Sequence, residues 1–117
     1  MNTSKAVENY PFLKSEPNGN FTLMVDSRPF LLLGAELNNS TMSSAKYVER
    51  SSLFQKMKSN SLNTILGPVA WEAIEPEEDR FDFIEIDGVI VEARKAGIKL
   101  VVLWFGAFKN GTCGWTP

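Results

Sequence analysis

The chain contains no histidine. That absence removes imidazole as a metal ligand and as the base beside a nucleophilic serine or cysteine. A single cysteine, Cys113, leaves no internal disulfide to form. With no imidazole to activate it, the thiol reads as incidental. Basic residues are not in excess: 12 Lys and Arg stand against 14 Asp and Glu, for a net charge of −2, and the cations are scattered. No basic face is on offer to a phosphate backbone, so nucleic acid is not an expected partner. No apolar run approaches the length of a membrane span, and the opening MNTSKAVENYPFLKSEPNGN has no signal-peptide core. The expectation is a soluble cytoplasmic chain with no membrane association. Residues 106–111 have the glycine spacing of a phosphate loop, but Thr112 stands where that loop requires lysine. No cofactor and no metal centre is implied.

What is present is an ordinary apolar fraction, 44% of 117 residues, enough for one core. Residues 1–20, with Pro11, Pro17 and Gly19, read as a loosely ordered N-terminal arm. FTLMV (21–25) is a strand candidate, Asp26-Ser27-Arg28 a turn, and PFLLLGAE (29–36) a continuous apolar strand. Ser43 or Ser44 can cap a helix to about Ser59 with Val48, Leu53, Phe54 and Met57 on its apolar face. NTILGPVA (63–70) is a second buried strand. Asp82 can cap a helix carrying Ile86, Val89, Ile90 and Ala93, with Gly97 where a left-handed C-terminal residue is needed. IKLVVLWFG (98–106) is a third strand. The three apolar strands recur about every 34 residues. Alternation of this kind predicts α/β architecture: parallel strands in the order of the chain, joined by right-handed helical crossovers that cover one face.

In parallel α/β folds ligands gather at the C-terminal strand ends. Here those ends carry Glu36-Leu37-Asn38, then Trp71-Glu72, then Trp104 through Lys109-Asn110. WEAIEPEEDRFDF (71–83) holds six carboxylates between large aromatics, a mixture suited to a rim that is apolar below and wet above. Carboxylates accept pairs of polar hydrogens and indoles cover apolar C–H surface. Each candidate has a plain alternative. Glu36 accepts hydroxyls or pairs with a neighbouring backbone or an arginine. Of Trp71 and Glu72, taken as strand residues, alternation turns only one toward the axis. Trp104 faces the site or fills core. Glu75, held extended by Pro76, is expected to brace its loop through backbone amides. Glu77, Glu78, Asp79 and Arg80 read as a solvated turn, with Phe81 and Phe83 burying its base.

The succession RPFLLLGAE, KMKSNSLNTI, VAWEAIEPEEDRFDF and AGIKLVVLWFG resembles the N-terminal part of the catalytic domain of β-galactosidase-like glycoside hydrolases, families thirty-five and forty-two. The likeness runs from about Phe21 to Pro117. It implies residues 21–117 as the N-terminal fragment of a (β/α)8 TIM barrel, about the first three strands with a preceding β-strand. It also implies hydrolysis of β-galactosides with retention, an acid/base after strand four and a nucleophile after strand seven. Neither of those two strands falls within the residues that carry the likeness. No catalytic residue is therefore assigned to this chain, and Glu36, Asn38, Trp71, Glu72, Trp104, Lys109 and Asn110 are its candidate substrate-binding residues, with a β-galactoside-like carbohydrate as partner. Where family thirty-five has Gly-Glu-Ile-His-Tyr, this chain has Gly34-Ala35-Glu36-Leu37-Asn38, so only the glutamate carries over. A non-catalytic carbohydrate-binding α/β module is the competing expectation.

Overall fold

The computed structural model of the chain describes residues 10–109 and Cys113–Gly114, with side chains as far as Phe108. It divides into two compact units, Met1–Leu32 and Leu33–Pro117. The first is an antiparallel meander of β1 (Phe12–Ser15), β2 (Phe21–Val25) and β3 (Arg28–Pro29). The segment expected to be a loose arm thus contains a strand, paired from Phe12↔Met24 to Ser15↔Phe21. Gly19, at φ 83°, makes the connection. The turn expected at Asp26-Ser27 is there: both residues have positive φ, 51° and 62°, which suits a two-residue hairpin to the twist of its strands.

The second unit is the α/β body. Its sheet has the order β4 (Gly34–Glu36), β5 (Thr64–Ala70), β6 (Lys99–Phe105), all parallel. The predicted order and direction hold. The first strand is shorter than its apolar run suggests. Pro29 pairs with Met24, and Phe30 N donates to Leu23 O, so the front of the run belongs to the meander. Leu33 N donates to Asn63 Oδ1, while Leu33 O accepts Asn63 N, and parallel pairing starts only at Gly34.

A short 3₁₀ turn (Thr41–Ser43) leads into α1 (Ala45–Ser51) and α2 (Leu53–Ser59). Ser44 caps α1 as expected, its Oγ accepting Tyr47 N. The predicted single helix is broken at Ser52, which is left-handed at φ 51°, ψ 38°. The break has a packing reason. Val48 and Phe54 are six residues apart, so on one continuous helix of ~100° per residue they would diverge by about 120°. With the helix restarted, both are fully buried.

A helical turn, α3 (Trp71–Ile74), follows β5, and α4 (Ile84–Ala96) precedes β6. Gly97 ends α4 at φ 65°, ψ 35°, the predicted left-handed cap. Glu85 and Asp87 lie in the first turn of α4 and Arg94 and Lys95 in the last, the favourable arrangement for the helix dipole. Asp82 does not occupy the cap position: Phe83 does, and Asp82 Oδ1 accepts Ile84 N from one residue earlier, as an Asx turn. Phe81 and Phe83 do not bury the turn. Each is at least half exposed, and their rings stack on one another 6.2 Å apart.

Val48, Phe54, Ile65, Val69, Val89 and Ile98 form the heart of one core between the sheet and the helices. Gly88 lets α1 and α4 meet closely, since a Cβ there would lie 2.5 Å from that of Ala45. Short β7 (Phe108–Lys109) and β8 (Cys113–Gly114) pair antiparallel beyond β6. Among the described residues no helix is long and apolar enough to cross a membrane.

Candidate functional site

The two faces of the parallel sheet are told apart by two residues of β5. Ile65 is fully buried in the core, and a Cβ at Gly67 would fall 1.7 Å from Met42 Sδ. Odd positions of β5 therefore face the helices, and strand pairing extends that face to Ala35, Leu100, Val102 and Trp104. Glu36, Leu66, Pro68, Ala70, Leu103 and Phe105 take the opposite face, the one that lines the axis of a barrel. Glu36 is the one carboxylate on that face of the sheet, and it is exposed.

Register separates candidates that the sequence groups together. Glu36 is level with Leu66, whereas Ala70 is level with Phe105. Glu36 thus leaves the sheet four positions early, about 13 Å along the strand at ~3.3 Å per residue. Asn38 follows in the exposed connection to the 3₁₀ turn, its carbonyl accepting Thr41 N at 3.0 Å.

At the upper level Trp71 and Trp104 are brought together. Their ring centroids are 6.5 Å apart at an interplanar angle of 43°, within the usual range of aromatic pairs. Trp71 is half-buried and Trp104 is 54% exposed. Trp71 and Glu72 stand on the helical turn α3, not on a strand, so strand alternation does not choose between them. Glu72 is exposed beside the indole. Lys109 has its backbone in β7, but its side chain and the whole of Asn110 lie outside the described residues. Phe105, which the sequence reading passed over, shares the face of Glu36. Counting by twos from buried Ile65 across the pairing would have found it.

Behind the tryptophan pair lies the acidic loop. Glu75 Oε2 accepts the Trp71 indole Nε1–H at 2.7 Å, and Glu75 Oε1 accepts the Asp79 backbone N–H at 3.0 Å, so the expected bracing is present. Asp82 N donates to Ile74 O at 2.7 Å and closes the loop at its base. Glu77 pairs with Arg80 at 3.0 Å, and residues 77–80 are exposed, as a solvated turn should be. Of the six carboxylates, Glu75 braces the loop, Glu77 pairs at the surface and Asp82 enters the helix, while Glu72 is exposed on α3. Among the described residues no cluster of acidic or thiol groups could hold a metal ion. A concavity of about 500 Å³ lies elsewhere, on the helix side of β6 among Ile90, Ala93, Arg94, Ile98, Leu100 and Val102. It offers no carboxylate, and the rim remains the candidate site.

Residues 42–104, more than half of the chain, match the family model Glyco_hydro_42, described as beta-galactosidase. The chain belongs to that family. Trp71, Glu72, Glu75 and Trp104 lie inside the matched region, whereas Glu36 and Asn38 precede it. Among solved structures this glycoside hydrolase family member is similar to the exo-beta-1,4-mannosidase Op5Man5 from Opitutaceae bacterium strain TAV5. The TM-score is 0.56 and the identity 16%, over 90% of this chain and 19% of the mannosidase. The chain therefore spans about a fifth of that protein, and the likeness is one of fold: three parallel strands and their crossovers, part of a TIM-barrel glycosidase. No curated protein matches the chain.

Proposed function

We propose that this chain forms the first three strands of a β-galactosidase-like catalytic barrel and that its C-terminal rim holds a β-galactoside-like sugar. The observation that carries the reading is the β-galactosidase family match over residues 42–104. The rim chemistry supports it. Glu36 offers a carboxylate to a pair of hydroxyls from the axial face, and further along, from the helix-side face of β6, the Trp71–Trp104 pair offers exposed aromatic surface to the C–H face of a pyranose. Glu72 and Asn38 are exposed polar groups within the same connections, and Lys109 and Asn110 complete the proposed binding set.

Bond cleavage in a retaining glycosidase needs two carboxyl groups about 5–5.5 Å apart, one protonated as acid and one ionised as nucleophile. By the family resemblance those groups follow strands four and seven. The residues of this chain hold and orient the sugar and do not attack it. The test is an assay of the purified 117-residue chain with a chromogenic β-galactoside, beside Glu36→Gln and Glu72→Gln variants. No turnover above background is expected. A weak galactoside association measured by titration is expected to fall in both variants. Turnover that either substitution abolishes would overturn the reading and move the chemistry onto residues assigned here to binding.

A further inference from the structure

We propose that Glu75 is a positioning residue of this rim: its carboxylate fixes the Trp71 indole beside Trp104 and ties that aromatic pair to the acidic loop. The inference rests on the carbohydrate reading of the rim and deepens it. Glu75 ends α3 with φ −131°, ψ 75°, outside the helical region, as a residue before proline should be. Its backbone N still donates to Trp71 O at 2.8 Å, so the side chain is carried back over the turn toward the indole. There the two carboxylate oxygens are used separately: one accepts Trp71 Nε1–H at 2.7 Å, the other Asp79 N–H at 3.0 Å.

The two donors meet different oxygens, so this geometry needs an acceptor at each position. An amide meets one, and an alanine neither. Asp79 is left-handed at φ 60°, a conformation aspartate tolerates and this hydrogen bond holds in place. The ring Glu75 grips is the one that meets Trp104, at 6.5 Å and 43°. Rings so tilted do not cover each other face to face, and Trp104 keeps half its surface open. Release of the indole would leave Trp71 free to change rotamer and the platform without a fixed shape, a loss felt by a pyranose that stacks on it.

The experiment uses the full chain with Glu75→Ala, Glu75→Gln and Trp71→Phe variants. Near-UV circular dichroism reads the coupling between the two indoles, amide hydrogen exchange reads Asp79, and fluorescence titration reads binding of methyl β-galactopyranoside. Glu75→Ala, with wild-type far-UV signal, is expected to lose the indole couplet to the level of Trp71→Phe. It should also exchange Asp79 faster and bind the galactoside on the order of tenfold more weakly, the size of one charge-assisted hydrogen bond. Glu75→Gln keeps one acceptor, so either the couplet or the Asp79 protection falls while the other stays. If Glu75→Ala does not fold, Glu75→Gln decides: wild-type couplet and wild-type protection together overturn the proposal. Loss of the couplet in Glu75→Ala with no galactoside binding even by wild type supports positioning and refutes the sugar reading. Galactoside binding that Glu75→Ala retains in full, with its couplet intact, refutes positioning and leaves the sugar reading standing.

Discussion

Replacing Gly88 by alanine sets two effects of similar size against each other. Glycine inside a helix costs ~1 kcal/mol relative to alanine, so propensity alone predicts a more stable protein. Packing predicts the reverse. The added Cβ would lie 2.5 Å from Ala45 Cβ, and ordinary contact begins at 3.4 Å, so α1 and α4 must part by about 1 Å. A methyl group has no torsion by which to move aside. Overpacking of this kind costs ~1–3 kcal/mol. The separation also stretches the 2.6 Å hydrogen bond from Ala45 N to Glu85 Oε2, and it falls one residue from Val89, which is fully buried. A charge-assisted bond of that type contributes ~1.5 kcal/mol when well formed. The packing side wins, and a net loss of about 1–3 kcal/mol is expected. The assay is urea denaturation followed at 222 nm, at chain concentrations low enough that the midpoint no longer depends on them. Combining the change with Ala45→Gly removes the opposing methyl, and a favourable coupling of ~1–2 kcal/mol should appear in the double-mutant cycle. A Gly88→Ala chain more stable than wild type, or strict additivity in the cycle, would refute the close helix crossing.

Other outcomes follow from the same packing. Phe54→Ala empties the space of a side chain that is 0% exposed and should cost ~3–5 kcal/mol in the same urea titration. Glu85→Ala removes the acceptor that a second helix supplies to the start of α1; a loss of ~1 kcal/mol is expected, with faster amide exchange at Ala45. Lys95 has its pKa raised, first by the hydrogen bond to Glu92 and then by the attraction of that carboxylate. A raised folded-state value means the contribution is whole below the ordinary lysine pKa and is lost as pH climbs through the folded one. Lys95 is exposed, so the effect is small, and Lys95→Met should lower stability slightly at neutral pH and flatten the alkaline limb of the stability profile.

The periodic parts of this chain were legible from its residues. Residues 64–70 and 99–105 are dense in apolar and β-branched side chains, Gly97 supplies the one conformation that ends α4 cleanly, and Ser44 caps α1. These are local signals, and local physics decides them. What escaped was set by contacts distant in sequence. The run at 29–36 looks uniform, yet its division between two sheets depends on Leu23 and on the side chain of Asn63. The break at Ser52 carries no proline or glycine and becomes intelligible only when Val48 and Phe54 are both required in one core. At the candidate site the sequence anticipates the bracing by Glu75, but it groups Glu36 with the tryptophans. Only the pairing register shows the four-residue offset, and only the turn α3 shows that Trp71 and Glu72 leave the strand together. Phe81 and Phe83 have the aromatic character of buried anchors, yet here the two exposed rings shelter one another.

The sheet in which neighbours in space are neighbours in sequence has a consequence for how the chain reaches its fold. Gly34 meets Thr64 after 30 residues, and Thr64 meets Lys99 after 35. Loop-closure entropy grows only with the logarithm of length, so the two closures differ by about 0.1 kcal/mol. Neither strand waits for a distant partner. A chain lengthening from its N-terminus can lay each strand against the one before it while the next is still being made, and its assembly then proceeds in the order of synthesis.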